Sequence, residues 1–403
     1  MSITHPDALK ALIDEYVPDL VSMRRDLHEH PELAFEEVRT SGIVAGRLRA
    51  LGIEVQTGIA KTGVVGLLRG GAAGVDAKTI ALRADMDALP IDELNDVEYR
   101  SQTAGKMHAC GHDGHTAILL TVADILSKRR AELTGNVKFI FQPAEESIGG
   151  AKPMIEQGAM QGVDAIIGLH LISDIPFGRI AVRAGEIFAS SDEYVLTVRG
   201  RGGHAASPEA AVDPIVISAH VITALQTLVS RETSPFQPAI ITVGELKAGT
   251  TFNIIPETAL MRGTMRAFAS EHRVYLKQRI VELSSGIASA LGGSCETVWQ
   301  IGSCPPCVND PSITALVRQA AVNAVGEERI DEDESVVATG SDDMAEFLQS
   351  VPGCYFMVGM YNEAKGSHYQ HHHPHFNIDE EALPIGVEIL ARAALAYLAD
   401  TGI

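Results

Sequence analysis

Residues 137–147 have the sequence VKFIFQPAEES, and this stretch decides the fold class. Its first part, Val137–Phe141, is typical of a short buried strand, and two consecutive carboxylates, Glu145 and Glu146, follow closely. Comparable strand-like runs occur at Val64–Leu68, Thr79–Leu82, Ala165–Leu169 and Cys354–Val358. Helical patterns such as Thr116–Lys128 separate them, which indicates a parallel sheet covered on both faces. We therefore predict an α/β fold with an open, mostly parallel sheet.

The rhythm of the sequence changes after about Gly185. From there the pattern is strand, helix, strand, strand, helix, strand, at Tyr194–Arg199, Asp213–Ser230, Ile240–Leu246, Thr258–Ala267, Glu271–Leu291 and Cys295–Gln300. This βαββαβ order is typical of a ferredoxin-like α+β domain. We predict that residues 188–301 form an inserted lid and dimerisation domain, and that residues 1–187 and 302–403 form the catalytic domain.

The composition excludes several classes of protein. The 403 residues include 32 Lys and Arg against 52 Asp and Glu, and the formal net charge of -20 disfavours nucleic-acid binding. No apolar run approaches the ~20 residues of a membrane span, so we expect no membrane partner. Five cysteines and an N-terminus without an apolar signal core favour a reduced, cytoplasmic protein over a disulfide-stabilised secreted one.

Carboxylates and imidazoles follow four of the predicted strands. They are Asp85 and Asp87, Glu145 and Glu146, His170, and His368 with His371–His373. In open α/β sheets the ligand crevice lies outside the carboxyl ends of the strands, so we expect these side chains to meet at one edge.

The segment HACGHDGH adds a fifth group of candidate ligands, which includes Cys110 and His112, just before the helix predicted from Thr116. A helix N-terminus favours anions, so we expect it to help Cys110 ionise to the thiolate. Cysteine, histidine and carboxylate together suit zinc, with manganese, cobalt and nickel as alternatives.

The consecutive carboxylates Glu145 and Glu146 point in opposite directions if their segment is extended. One can then bind metal while the other faces a water molecule. This division is the one that a metallohydrolase needs, because the ion lowers the pKa of the water and the free carboxylate takes its proton.

Eight motifs in this order resemble those of a known family. They are RRDLHEHPELAFEE (Arg24–Glu37), RADMDALP (Arg83–Pro90), HACGHDGH (His108–His115), FQPAEES (Phe141–Ser147), GLH (Gly168–His170), GRGGHAA (Gly200–Ala206), FNIIP (Phe252–Pro256) and HHPHFNIDEE (His372–Glu381). The sequence is similar over nearly its whole length to metal-dependent aminoacylases, hippurate hydrolases and plant auxin-conjugate amidohydrolases.

That resemblance implies two divalent metal ions per subunit and a set of ligands. The implied ligands are Cys110, His112, Glu146, His170 and a C-terminal histidine. The family pattern His-x-Pro-x-Phe selects His372, which has His371 and His373 beside it.

The same resemblance implies roles for five further residues. Glu145 matches the general base and Asp87 the residue that supports the site. His204 matches a residue that binds substrate and stabilises the oxyanion, and Asn253 and Arg266 match residues that bind the substrate carboxylate. One departure is Gly340–Met344, GSDDM, where relatives commonly have GSEDF.

The expected function is hydrolysis of the amide bond of N-acyl amino acids, of the N-acetyl or N-benzoyl type. Two alternatives on the same fold stay open, a dipeptidase and a deacetylase of an N-acetyl diamino acid. An alternative of another class is a non-catalytic metal-binding protein. We expect a homodimer through the inserted domain, because an exposed sheet edge pairs readily with a second copy.

Overall fold

Helices and strands alternate along the chain in the computed structural model, which describes residues 6–147, 149–300, 302–333 and 336–399. The α-helices are α1 (Pro6–Glu29), α2 (Val38–Ala50), α3 (His112–Lys128), α4 (Ala151–Glu156), α5 (Pro214–Thr227), α6 (Ser270–Ala290), α7 (Pro311–Val325), α8 (Met344–Leu348) and α9 (Leu383–Ala399).

The strands are β1 (Glu54–Ile59), β2 (Gly63–Leu68), β3 (Thr79–Asp85), β4 (Asn136–Gln142), β5 (Ala165–Pro176), β6 (Ile180–Ala181), β7 (Gly185–Phe188), β8 (Asp192–Arg199), β9 (Gly203–His204), β10 (Ala239–Ala248), β11 (Ile254–Ile255), β12 (Thr258–Ala267), β13 (Ser294–Trp299), β14 (Cys307–Asn309), β15 (Ile330–Asp331) and β16 (Gly353–Tyr361).

The chain divides into two compact units. The first comprises the chain up to Gly185, Val308–Val336 and the chain from Asp343 onward. The second comprises Glu186–Cys307 and Val337–Asp342.

The first unit is built on an eight-stranded sheet with the order β1-β2-β4-β3-β5-β16-β6-β15. Its central strands β4, β3, β5 and β16 are all parallel to their neighbours in that group. The prediction of a mostly parallel sheet in a mixed α/β fold is therefore confirmed. The antiparallel pairs β1–β2, β2–β4 and β16–β6 were not predicted, because they lie at the margins, where hairpins and short strands add to the parallel centre.

Helices cover both faces of this sheet. On β5, the side chain of Leu169 lies against α9 beside Gly386, and the adjacent Gly168 lies against Met344 of α8. Because neighbouring residues of a strand point to opposite faces, α9 and α8 must cover different sides. Such two-sided burial explains why these strands are continuously apolar in the sequence.

The second unit contains a four-stranded antiparallel sheet with the order β10-β12-β8-β13. Its elements follow the chain in the order β8, α5, β10, β12, α6, β13. Strand β8 alternates buried and partly exposed residues, so one face is apolar and packs on the helices. The core of the unit includes Leu196, Val221, Met261, Leu276 and Ile280, all fully buried.

One described stretch, Glu380–Ala399, is long and apolar enough to cross a membrane by length and composition, with a mean hydropathy of 1.5. It contains α9, and 61% of its most apolar window is buried inside the structure, as in the core helix of a soluble protein. We did not predict such a stretch from the sequence, because Glu388 and Arg392 interrupt its apolar residues. These two side chains bond to each other at 2.8 Å.

Candidate metal centre

Six of the candidate side chains lie together at the carboxyl ends of the central parallel strands. Their potential ligand atoms form overlapping groups, within each of which all atoms lie within 4.8 Å of one another. The groups are Cys110, His112 and His170; Cys110, Glu146 and His372; and His112, Glu145 and Glu146.

The segment that carries Cys110 and His112 enters helix α3 earlier than predicted. The helix begins at His112 and not near Thr116, and Gly111 precedes it with φ of 95°, a conformation that glycine adopts without strain. His112 therefore belongs to the rigid first turn. Its Nδ1 donates a hydrogen bond to the backbone oxygen of Asp87 at 2.9 Å, which directs Nε2 away from that partner.

The turn that carries Glu145 and Glu146 is held by side-chain carboxylates. Asp87 accepts the backbone N–H of Glu145 at 2.9 Å with Oδ1 and that of Glu146 at 3.0 Å with Oδ2. Glu37 accepts the backbone N–H of Ala144 at 2.9 Å, and Ala144 has φ of 57°. A non-glycine residue in this conformation is strained, and such strain concentrates at functional sites.

His170 lies inside strand β5, which continues to Pro176, and does not follow the strand as predicted. Its Nδ1 donates to the backbone oxygen of Leu171 at 2.8 Å, so Nε2 is the nitrogen available as a ligand. That Nε2 lies 3.6 Å from Sγ of Cys110. Burial lowers the pKa of His170, and the neighbouring His115 lowers it further, so the ring is neutral and suited to bind a cation.

The three consecutive histidines near the C-terminus have different surroundings. His371 is directed away from the cluster, because its Nε2 donates to the backbone oxygen of Leu171 at 2.9 Å. His373 is exposed, and its Nδ1 accepts a backbone N–H from two residues further along. Only His372 of the three reaches the cluster, with Nε2 at 3.3 Å from Oε1 of Glu146.

The negative charge of the cluster favours binding of a cation. Burial, with the negative charges of Glu146 and Glu145, raises the pKa of the Cys110 thiol well above its usual range. Burial and the nearby carboxylates therefore oppose the thiolate that we expected the helix N-terminus to favour. A bound cation would offset this effect, because a metal beside a cysteine favours its ionised form.

His112 leads to the same conclusion. Burial favours its neutral ring, but the charges of Asp85, Asp87 and Glu146 outweigh burial and raise its pKa to about 10. Within the part of the chain that the structure describes, Nε2 of His112 is buried without a hydrogen-bond partner, 3.8 Å from Oε1 of Glu146. Thiol, imidazole and carboxylate donors around this unpartnered nitrogen fit a zinc-type ion or a related divalent metal.

A second group of buried residues supports the cluster, and two of them, Arg83 and His115, have no role predicted from the sequence. Arg83 donates to Asp85 at 2.6 Å, and Nδ1 of His115 donates to the other oxygen of Asp85 at 2.7 Å. Nε2 of His115 accepts the backbone N–H of Leu171 at 2.9 Å, which fixes the residue after His170. The spacing of His112 and His115 on one helix, three residues apart, is the signal that indicates a shared environment.

The candidate substrate-binding residues lie in the second unit. His204 ends strand β9 and is exposed, and its backbone pairs with Ile254 of β11. Asn253 precedes β11, and its backbone oxygen accepts the N–H of the residue after His204 at 3.1 Å. Arg266 lies on β12, where its Nη1 donates to Thr264 Oγ1 at 2.6 Å.

Comparison with known proteins shows the family. The model for peptidase family M20/M25/M40 matches residues 81–396. The chain is 42% identical over 393 residues to thermostable carboxypeptidase 2 of Saccharolobus solfataricus, covering 97% of this chain and 98% of that protein. It is 39% identical over 386 residues to IAA-amino acid hydrolase ILR1-like 2 of Arabidopsis thaliana, covering 94% of this chain and 85% of the relative.

A solved structure agrees with these matches. The YXEP protein of Bacillus subtilis, described as a dinuclear metal-binding peptidase of the M20 family, superposes with a TM-score of 0.81 at 35% identity. The match covers 96% of this chain and 99% of the other. The chain therefore belongs to peptidase family M20/M25/M40, which confirms the resemblance read from the motifs. The prediction of a metal-dependent hydrolase of amide bonds is confirmed at this level, and the non-catalytic alternative loses its support.

Proposed function

We propose that this protein hydrolyses the amide bond of N-acyl amino acids to a carboxylic acid and a free amino acid. The observation that carries the proposal is the turn of Glu145 and Glu146. Glu146 has a ligand atom within 4.8 Å of those of Cys110 and His372, and Glu145 has one within 4.8 Å of that of His112. Both carboxylates thus lie at the cluster, and the motif resemblance assigns Glu146 to the metal ions and Glu145 to the water as a base.

The metal ions are proposed to be two divalent cations, zinc, manganese, cobalt or nickel. The proposed ligands are Cys110, His112, Glu146, His170 and His372. When bound, the cations would supply Lewis acidity, which polarises a carbonyl group and lowers the pKa of water.

Glu145 is the proposed general base. Its carboxylate takes a proton from the water whose oxygen attacks the amide carbon, and it returns this proton to nitrogen as the C–N bond breaks. Asp87 acts through the backbone, because it fixes the N–H groups of both Glu145 and Glu146.

The second unit, by its element and strand order, is proposed to be the inserted ferredoxin-like domain at residues 188–301, with lid and dimerisation roles. His204 is the proposed oxyanion-stabilising residue, and Asn253 and Arg266 are proposed to bind the substrate carboxylate. These assignments rest on the motif resemblance. Exposed edge strands β10 and β13 support pairing with a second copy. Sedimentation that gives a monomer at working concentration would contradict the dimer.

A cytoplasmic location is proposed from the free thiols of Cys110, Cys295 and Cys354. Detection of the native protein in a secreted or periplasmic fraction would contradict it.

The test of the function is the Glu145→Gln variant. Purified protein is freed of metal, reloaded separately with zinc, manganese, cobalt or nickel, and assayed on N-acetyl and N-benzoyl amino acids. We expect kcat to fall by about 10²–10⁴-fold, because proton transfer is lost, while metal content stays at the wild-type level. Wild-type turnover by Glu145→Gln would refute the mechanism.

A second candidate function is favoured by the similarity to a carboxypeptidase. The panel therefore includes dipeptides with a free α-amine, longer peptides and N-acetyl diamino acids. A higher kcat/KM for peptides than for N-acyl amino acids would favour a peptidase, and a preference for N-acetyl diamino acids would favour the deacetylase.

A further inference from the structure

The N-terminal segment ending at Glu37 has no role in the mechanism so far, although it carries one of the recognised motifs. Glu37 is fully buried, and it stands at the start of helix α2. Its Oε1 accepts the backbone N–H of Ala144 at 2.9 Å, and its Oε2 accepts the hydroxyl of Thr62 at 2.5 Å. The carboxylate thus links three segments of the first unit: α2, the hairpin connection before β2, and the turn of Glu145.

The backbone of that turn depends on side chains for its hydrogen bonds. The N–H groups of three successive residues, Ala144, Glu145 and Glu146, are all accepted by carboxylates, one by Glu37 and two by Asp87. A buried N–H without a partner costs folding free energy, so these two carboxylates fix the backbone position of the turn. Burial raises the pKa of Glu37, and the charge of Asp87 raises it further, which agrees with two carboxylates facing one turn.

Strained backbone conformations occur near the hydrogen bonds of Glu37 to Ala144 and Thr62. Among the described residues, five that are not glycine have positive φ: Phe35, Ala60, Lys61, Ala144 and His372. Ala60, Lys61 and Ala144 lie in the segments that Glu37 joins, and Phe35 lies two residues before Glu37. Ala144 is the direct partner of Glu37. Strained residues persist only where their surroundings over-determine them, and they mark functional positions.

We propose that Glu37 is a positioning residue for catalysis, which holds Ala144 in its left-handed conformation and thereby aims Glu145 at the reacting water. The inference rests on the proposed function, in which Glu145 is the base. Among the described residues no hydrogen bond or ion pair joins Glu37 to the candidate ligands, and it acts through the backbone of residue 144. A displacement of the base of about 1 Å is enough to reduce turnover by ~100-fold.

The test compares three variants and one control variant with the wild-type enzyme, all loaded with metal. Glu37→Ala removes the acceptor, and we expect kcat to fall about 100-fold with KM unchanged. Glu37→Gln keeps an amide oxygen for the N–H of Ala144 and should restore most of kcat. The double variant Glu37→Ala with Ala144→Gly should recover kcat several-fold over Glu37→Ala, because glycine adopts positive φ without support.

The matched control is Glu32→Ala. Glu32 accepts the N–H groups of Arg39 and Thr40 at 2.8 Å each, so it supports the start of the same helix without a bond to the turn. We expect this variant to lose stability and to keep wild-type kcat. An equal loss of kcat in Glu32→Ala and Glu37→Ala would overturn the proposal, because it would show a general effect of α2.

A second readout does not depend on turnover. Hydrogen exchange by mass spectrometry on the metal-free protein should show faster exchange at residues 144–146 in Glu37→Ala than in wild type and Glu32→Ala. If Glu37→Ala fails to fold, Thr62→Val replaces it. That variant releases one carboxylate oxygen of Glu37, and it should speed the same exchange and lower kcat to a smaller degree.

Wild-type kcat and wild-type exchange in Glu37→Ala, or in Thr62→Val where it is the substitute, overturn the positioning role. Failure of the proposed function is distinguishable, because it would appear as a wild-type enzyme that hydrolyses no N-acyl amino acid. The exchange measurement would then still report whether Glu37 holds the turn.

Discussion

At the scale of single residues, buried charges around the candidate centre are paired across long sequence distances. Arg24 is fully buried and donates to Asp113 at 2.9 Å, and Asp113 directly follows the candidate ligand His112. The ring of His28 also donates to Asp113, at 2.7 Å. This pairing stabilises the first turn of α3, because an unpaired charge there would have to be buried without compensation.

The Arg24→Met variant tests this pairing. Removing one partner leaves Asp113 buried with less compensation, so we expect the free energy of unfolding to fall by about 3–5 kcal/mol. The control is Arg25→Met, because Arg25 bonds to Glu380 at 2.8 Å but is half exposed, and exposed pairs contribute about 0–1 kcal/mol. Equal losses in urea unfolding of the two variants would contradict the prediction.

A buried carboxylate in the second unit makes stability depend on pH. Burial of Asp192 opposes its ionisation, but bonds from Arg273 at 2.7 Å and Lys277 at 3.0 Å outweigh burial and lower its pKa below the usual value. A lowered pKa in the folded state stabilises the fold above the unfolded-state value near 3.9, and the contribution is lost as pH falls through the folded-state value.

The Asp192→Asn variant should therefore lose roughly 1.5–3 kcal/mol at pH 7, the range for hydrogen bonds to charged groups. The difference from wild type should shrink as the pH falls below 4. Denaturant unfolding at several pH values measures it, with Glu282→Gln, a change to an exposed carboxylate, as a control without measurable effect. A pH-independent difference would refute the assignment to ionised Asp192.

At the scale of elements, glycines show where backbones approach each other closely. A Cβ on Gly150, before α4, would lie 1.7 Å from the backbone oxygen of Pro143, at the start of the turn that carries Glu145. On Gly46, inside α2, it would meet nothing within 4 Å. The two positions thus predict opposite effects of the same substitution.

We expect Gly150→Ala to lower the free energy of unfolding by about 1–3 kcal/mol, the cost of overpacking, and to lower kcat because the turn shifts. Gly46→Ala should raise the free energy of unfolding by about 0.5–1 kcal/mol through helix propensity. Thermal unfolding and the amide-hydrolysis assay measure both. If Gly150→Ala changed neither the free energy of unfolding nor kcat, the prediction would be wrong, because the turn would have accommodated the added methyl group.

The sequence predicted the type of each central element, helix or strand, better than it predicted the residues at which the element begins and ends. The central strands and the long helices have strong apolar patterns, and they occur where predicted. The start of α3 was misplaced by four residues because His112–His115 are polar, and no apolar periodicity marks them. Helix α2 and strand β1 were missed, since both lie at the margin of the unit and expose much of their surface.

At the scale of the whole molecule, the candidate metal centre brings together side chains from four separate segments of the sequence, all within the first unit. Cation binding should therefore stabilise folding of that unit as a linked equilibrium. At free metal 100 times the Kd, the expected gain in the free energy of unfolding is about 2.7 kcal/mol. Calorimetry of metal-free and metal-loaded protein measures the shift.

Glu145→Gln should keep this metal-dependent shift, because Glu145 is not among the proposed ligands. Cys110→Ala should reduce the shift, because Cys110 is one of them. Chelation should also abolish hydrolysis, and the added metal should restore it. An unchanged unfolding transition in the presence of every candidate metal would contradict a metal centre at this position.

The sequence alone determined the α/β class, the motifs and the two consecutive carboxylates Glu145 and Glu146, because these are local properties of residue type and spacing. The family motif selected His372 among the three consecutive histidines, but only the tertiary structure gives its contact, with Nε2 at 3.3 Å from Oε1 of Glu146. The tertiary structure also showed that burial opposes the Cys110 thiolate and that Glu37 holds the turn of Glu145. Burial, orientation and long-range hydrogen bonds depend on segments far apart in the sequence, separated by 107 residues for Glu37 and Ala144, and no local pattern encodes them.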